Sequence, residues 1–317
     1  MLLFIFSLSA NAAILRVNNT PGILGVHTHL QNAVNVANAG DTIYIEPSDV
    51  AYSGAAIAKK ITIIGNGSEL ATNKEFQAID KTAIIAGNVD LQSGANDSYL
   101  SLTIAGNILV NGVNNFTIDN CNIQGRLVIE NATNALIRRT LVKGTASQTL
   151  GLTVDLSNHI RFQNTAFEVK QTISNSTNIT FANCNFRNVQ FTSFTQATFI
   201  ACIFIEAQLN QAAFDATCTL FHCIHSQSYS STIPSGISED VIFLPLNQIL
   251  VNSSSTDGFE KNITINNIEP NDVGIYAGEY PLKKATIPAI PTIYSLEMNS
   301  YNSSNSLQIN LKSRSNK

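Results

Sequence analysis

One short phrase recurs between about Leu100 and Cys223, and it constrains the fold more than any other feature of the chain. It reads Phe116-Thr-Ile-Asp-Asn-Cys-Asn-Ile123, Ala135-Leu-Ile-Arg-Arg-Thr-Leu-Val142, Ile160-Arg-Phe-Gln-Asn-Thr-Ala-Phe167, Ile179-Thr-Phe-Ala-Asn-Cys-Asn-Phe186, Ala197-Thr-Phe-Ile-Ala-Cys-Ile-Phe204 and Cys218-Thr-Leu-Phe-His-Cys-Ile-His225. Anchored on the small residue near its end, the register is Leu102, Cys121, Thr140, Thr165, Cys184, Cys202 and Cys223, with steps of 19, 19, 25, 19, 18 and 21 residues. A period near 20 carried by strand-forming residues, with no helical phrase inside it, is the signature of a solenoid. Each coil of a solenoid packs only on its neighbours, so 317 residues do not call for a second core.

A second phrase precedes most anchors: Val89-Asp-Leu91, Ile108-Leu-Val110, Leu127-Val-Ile129, Gln171-Thr-Ile173 and Val189-Gln-Phe191, each ending 11 residues before its anchor. Two apolar positions around one spacer are strand-like. In the fourth coil the alignment is expected to slip, with Leu152-Thr-Val-Asp-Leu156 taking the role after an insertion from Lys143 to Gly151. Six inward columns follow: two from this phrase and four from the longer one. The last four run through Phe116 and Ile160, through Ile118 and Phe162, through the Cys/Thr anchors, and through Ile123 and Phe167. Between two of them stand Asn120, Arg139, Asn164, Asn183, Ala201 and His222. Asn tolerates a left-handed backbone, so this position is a corner, and the three Asn suggest an interrupted ladder. The strands are too short for a transmembrane barrel, which needs about 9–11 residues per crossing.

Only 13% of the residues are charged, and the net charge of −4 argues against a nucleic-acid partner, which needs a basic footprint. Residues 1–13 read as a secretory signal peptide, with a short apolar run and the small residues Ala10 and Ala12 near its end. No other stretch is long and apolar enough to span a bilayer. Four of the five cysteines share the anchor column and Cys218 falls on another apolar position, so all five read as core thiols. Leu30, Ala33, Val34 and Ala37 are spaced as a helix over about 28–39, with Thr28 placed to cap its start and Gly40 its end. A helix directly before a β solenoid closes the open end of the first coil.

The stretch from Leu30 to Gly67, with its helix, Ala-x-x-Gly-Asp-Thr-Ile, Tyr52 turn and Ile61-Thr-Ile63 strand, resembles the opening of right-handed parallel β-helix proteins of the pectate-lyase-like superfamily. Pro47 to Tyr52 makes the turn longer than is usual there. The tail from Val273 onward is similar to the C-terminal segment of secreted β-helix proteins from Bacteroidetes-type bacteria, with Ala277 where those have Gly. The resemblance implies an all-β, right-handed parallel β-helix of about 19-residue coils over residues 14–230. It has an N-terminal capping helix and a β-rich C-terminal segment over 231–317, packing on or following the solenoid.

Sugar-cleaving and ester-cleaving relatives need clustered acids, or acids with a basic side chain, on adjacent coils. Here acids are sparse across the stack (Asp119, Glu130, Asp155, Glu168, Glu206, Asp215), and no paired Asp motif or Gln-Asp-Thr occurs. The densest charged cluster is Arg138, Arg139, Lys143 and Arg161 near the insertion, with Glu130, Asp155 and Glu168 nearby. As a basic groove it could hold an acidic polysaccharide, with one Arg or Lys as the base of a lyase. The plainer reading is an exposed ladder, since Lys143, Glu168 and Arg187 each fall three past an anchor. His222, His225, Cys218 and Cys223 could be pictured around zinc, but their coil register assigns the cysteines to the core. Thr180, Thr198 and Thr219 form an outward column. No cofactor or metal is called for. The expectation is therefore a secreted or cell-surface, non-catalytic protein that binds polysaccharide or cell-surface glycan or serves as scaffold. The alternative is a polysaccharide lyase or other carbohydrate-active enzyme acting on acidic polysaccharide.

Overall fold

The computed structural model describes residues 12–24, 26–68, 70, 81–144, 151–168, 170–187, 189, 191–192, 194–205, 207, 214, 217–226, 238–239, 241–249, 273–282, 291–299 and 308–315. The chain winds into a parallel β-helix with three sheets running along it, of eleven, nine and seven strands, termed here sheets I, II and III. Every pairing within them is parallel, and parallel crossovers wind right-handed. The inward columns of the repeat are the actual register. Ile118, Ile137, Phe162, Phe181, Phe199 and Leu220 lie opposite one another in sheet I, and Ile123, Val142, Phe167, Phe186, Phe204 and His225 in sheet II. All twelve are buried.

Stacking like on like aligns the aromatic rings. Phe162, Phe181 and Phe199 stack at 4.7 and 4.9 Å between centroids, and Phe167, Phe186 and Phe204 at 5.2 and 5.0 Å. The two columns meet edge to face, as at 5.6 Å between Phe162 and Phe167. Such contacts contribute about 0.5–1.5 kcal/mol each beyond simple burial.

The anchor column is explained by the corner beside it. All six residues just before an anchor, from Asn120 to His222, have left-handed backbones with φ between 48° and 53°. At that corner the carbonyl two residues before the anchor turns inward, and the anchor side chain donates to it. Thr140 Oγ1 reaches Arg138 O at 2.8 Å, Thr165 Oγ1 reaches Gln163 O at 3.1 Å, and Cys202 Sγ reaches Ile200 O at 3.4 Å. Cys and Thr share this column because both are small and carry one donor. Burial pushes the Cys121 thiol up to about 12, and raises Cys202 and Cys223 well above the free-thiol value, so these groups stay protonated. All five cysteines are buried and unpaired by disulfides.

At the corner between sheets II and III successive coils approach closely. A Cβ at Gly106 would lie 2.3 Å from Gly87 O, and one at Gly125 would lie 2.3 Å from Gly106 O. Beside these glycines runs an asparagine ladder that the repeat phrase had not revealed. Asn107 N and Nδ2 donate to Asn88 Oδ1 at 3.0 and 3.1 Å, and Arg126 N donates to Asn107 Oδ1 at 2.8 Å.

Four expectations are revised. The fourth coil does not slip, because Val154 pairs with both Ile129 and Ile173, and residues 145–150 of the insertion lie outside the described residues. The slip occurs one coil after Ile173, where Phe191 pairs with Gln171 rather than Ile173. That shift seats the Phe191 ring among Phe186, Phe194, Phe204 and Phe214. The helix spans Leu30–Val36, and His29 rather than Thr28 occupies its N-cap, without a side-chain hydrogen bond. Its Leu30, Ala33 and Val34 face the core as their spacing required. The asparagine corner is not an internal ladder, because the Asn164 amide donates outward to Ile275 O and Ala277 O at 3.0 and 2.6 Å.

Past His225 the winding continues, since Ser238–Glu239 and Ile242–Leu244 pair in parallel with the preceding coil. Residues 273–282 then run along the corner between sheets I and II. Val273 packs with Ala201, Ile203 and Ile224, and Ile275 and Leu282 with Leu141 and Ala166. Pro291–Asn299 and Gln308–Ser315 pair as an antiparallel hairpin.

Candidate functional site

Strand alternation decides which side chains a β-helix offers to a ligand. In sheet III the flanking residues Val89, Leu91, Ile108, Val110, Leu127 and Ile129 are buried, so Asp90, Leu109 and Val128 between them face outward, in register on consecutive rungs. The next outward column holds Asn111, Glu130 and Asp155. Turn residues Gln92, Ser93 and Gly112 rise on one side and Arg126 on the other, enclosing a groove of about 690 Å³.

The floor of this groove is aliphatic and its rim is polar. Asp90 and Glu130 bring two carboxylates, Arg126 one guanidinium, and Gln92, Ser93 and Asn111 neutral donors and acceptors. Asp90 Oδ1 and Arg126 Nε are shielded from solvent, with no hydrogen-bond partner among the described residues. Among the described residues the Arg126 guanidinium reaches Thr153 Oγ1 alone, at a long 3.5 Å. A shielded group left unpaired loses its hydration without compensation, which marks this wall of the groove as costly to fold.

The charged cluster read from the sequence is divided among three faces. Arg138 and Arg139 converge on Asp119, whose carboxylate is buried. Arg138 Nη2 lies 2.9 Å from it, and Arg139 donates from Nε at 2.8 Å and from Nη2 at 2.5 Å. The Tyr99 hydroxyl donates to the same group at 3.1 Å, and burial together with that negative charge raises the Tyr99 pKa. The Arg138 guanidinium also stacks 4.8 Å from the Tyr280 ring centroid. Arg161 lies exposed on the outer face of sheet I, opposite Leu136. Lys143, Glu168 and Arg187 continue the sheet II register as a column. Glu130 and Asp155 are rung neighbours in sheet III, with Asp155 Oδ1 taken by Ser174 and Asn175 at 2.8 and 2.9 Å.

Asp90 and Arg126 were not singled out from the sequence. The signal for Arg126 was a third recurring phrase, Gly87-Asn88 and Gly106-Asn107 followed by Gly125-Arg126, where the arginine replaces a ladder asparagine beside the groove. Cys218, Cys223 and His225 all point inward, whereas His222 sits at the left-handed corner. Among the described residues no helix is long and apolar enough to cross a membrane.

The chain thus belongs, by architecture, to the class of parallel β-helix solenoids. No protein-family model and no curated protein matches it. Among solved structures it is similar to QnrB1, described as a plasmid-mediated fluoroquinolone resistance protein. The identity is 13%, with 63% of this chain and 91% of that chain covered and a TM-score of 0.21. So loose a superposition carries no argument, and the architecture rests on the strand register itself.

Proposed function

We propose that the chain is an exported, non-catalytic β-helix protein of the pectate-lyase-like kind that binds glycan in the groove on sheet III. The observation that carries this reading is the groove's lining: an aliphatic floor of Leu109 and Val128 under a rim of Asp90, Arg126 and Glu130. A sugar ring presents C–H groups to such a floor while its hydroxyls donate to carboxylates and accept from a guanidinium. Asp90 and Glu130 are two rungs and two residues apart, about 12 Å between Cα positions from strand dimensions, so they bracket a ring rather than converge on one bond. Two carboxylates against one guanidinium favour a neutral glycan over an acidic one. Export is supported by the leader-like residues 1–13, and the superfamily by a helix that caps the first coil.

The alternative, a lyase acting on acidic polysaccharide, draws on Arg138, Arg139, Lys143, Arg161 and Glu168. The first two arginines are committed to Asp119, which argues against either acting as a free base. Calorimetry against neutral and uronate oligosaccharides separates the readings. Binding of a neutral oligosaccharide that weakens about tenfold in Arg126→Ala, without bond cleavage, is expected. Release of unsaturated ends from a polyuronate would establish the alternative, and binding unaffected by Arg126→Ala would remove the groove from the account.

A further inference from the structure

We propose that the exported chain is cut between Ala12 and Ala13, and that the α-ammonium group freed on Ala13 docks on the Asp41 carboxylate. The inference rests on the export reading above, moves the end of the leader from residue 13 to residue 12, and adds the acceptor of the new terminus. Ala10 and Ala12 place small residues three and one before that bond, the pattern a signal peptidase accepts.

The structure then distinguishes this bond from its neighbour. Ala13 N lies 2.8 Å from Asp41 Oδ1, and Ala13 O accepts from Thr42 N at 2.8 Å, so Ala13 is already built into the first coil. A cut one residue later would remove both contacts, and the chain would begin at Ile14, the first residue of a strand. Asp41 is buried, and its second oxygen accepts from Asn38 N at 2.7 Å. Among the described residues its hydrogen-bond donors are thus two backbone N–H groups, and no cation touches it. Lys59 Nζ is turned to Asn35 O and Ala37 O instead. A terminal ammonium supplies the missing counter-charge in a place where the backbone already points its nitrogen at the oxygen. In the cleavage one water adds across the peptide. The C–N bond breaks, Ala12 leaves with a new carboxylate, and the Ala13 amine takes up a proton.

The test expresses the full chain in a bacterial host and determines the N-terminus and intact mass of the exported fraction. Ala13 as first residue is expected. Export with any other first residue overturns this inference alone, whereas retention in the cell with Met1 in place overturns the export reading with it. The exported protein is then selectively acetylated at its α-amine. Acetylation is expected to reduce the folding equilibrium constant roughly two- to five-fold, the range of a partly exposed ion pair. Asp41→Asn abolishes that difference. Equal stability of the free and acetylated forms overturns the docking, a comparison that stands even if Asp41→Asn fails to fold.

Discussion

Replacing Asp119 by alanine tests most directly how the corner between sheets I and II is held. Its carboxylate is buried and accepts four hydrogen bonds, from Tyr99, from Arg138 and twice from Arg139. Without it two guanidinium groups face each other across an empty acceptor. Removing one partner of a buried ion pair costs about 3–5 kcal/mol, mostly through the charge left behind. The arginine side chains keep 22% and 11% of their exposure, and that residual solvent brings the expectation to about 3 kcal/mol. Asp119→Asn keeps the shape and one acceptor but no charge, and about 2 kcal/mol is expected. Urea unfolding followed by far-ultraviolet circular dichroism reads the change, with the m-value checking that the same surface is exposed. A triple variant, Asp119→Ala with Arg138→Met and Arg139→Asn, is expected to be more stable than Asp119→Ala alone, because no cation is left unpaired and Asn suits the left-handed site. A loss under about 1 kcal/mol for Asp119→Ala, or no recovery in the triple variant, refutes the reasoning.

Three further outcomes follow from single positions. Leu156 holds a left-handed backbone at φ 48° with its side chain 57% exposed, in the column of Asn131 and Asn175. Leu156→Asn should therefore raise stability by about 1 kcal/mol in the same urea assay, and a loss would contradict the strain argument. Gly125→Ala forces a Cβ to within 2.3 Å of Gly106 O and 2.7 Å of Asn107 Oδ1, so a cost of about 1–3 kcal/mol is expected. Gly65→Ala, whose nearest neighbour would be 3.7 Å away, serves as the neutral control. His225 is buried in a column otherwise filled by Ile, Val and Phe, with Nε2 placed 3.2 Å from Ala207 O, and burial lowers its pKa below 6.5. The unfolded imidazole takes its proton near pH 6.5, before the folded one does, so stability is full above that pH and falls as pH drops toward the folded value. His225→Phe should flatten that part of the stability–pH curve, and an unchanged slope would place the titration elsewhere.

The inward columns were legible because a solenoid repeats its core residue type at every rung, so one phrase exposes many contacts at once. Corner conformation was legible by position rather than by residue. Asn120, Asn164 and Asn183 announced the left-handed turn, and Arg139, Ala201 and His222 share it only because the register requires it. The shift at Phe191 was not legible, since Val189-Gln-Phe191 alternates as well as the true pairing does, and only the packing of four neighbouring rings decides. The extra partial coil after His225 was hidden for a related reason. Val241-Ile-Phe-Leu244 reads as a strand by itself but lacks the repeat's register, and parallel pairing to the rung beneath identifies its place.

Function-bearing residues are harder to see than core residues because sequence proximity means little on a triangular coil. Arg138, Lys143 and Arg161 looked like one cluster, yet a few residues of winding carry the chain from one sheet to the next. Sheets I and II meet under the strap of residues 273–282, where Asp119 neutralises the arginines and Asn164 is occupied by backbone carbonyls. The outer face of sheet III bears the groove instead. The long step in the repeat bears on the same place, because Leu127 N, just past Arg126, donates to Gly151 O at 2.8 Å. Gly151, which ends the insertion, therefore stands on the rung beside the groove's cationic wall. A break in the period and an arginine in an asparagine ladder are independent departures from the repeat, and the winding brings Gly151, at the end of that break, onto the rung beside Arg126. In a fold whose repetition is spent on packing, such convergent departures are features that the packing itself does not require.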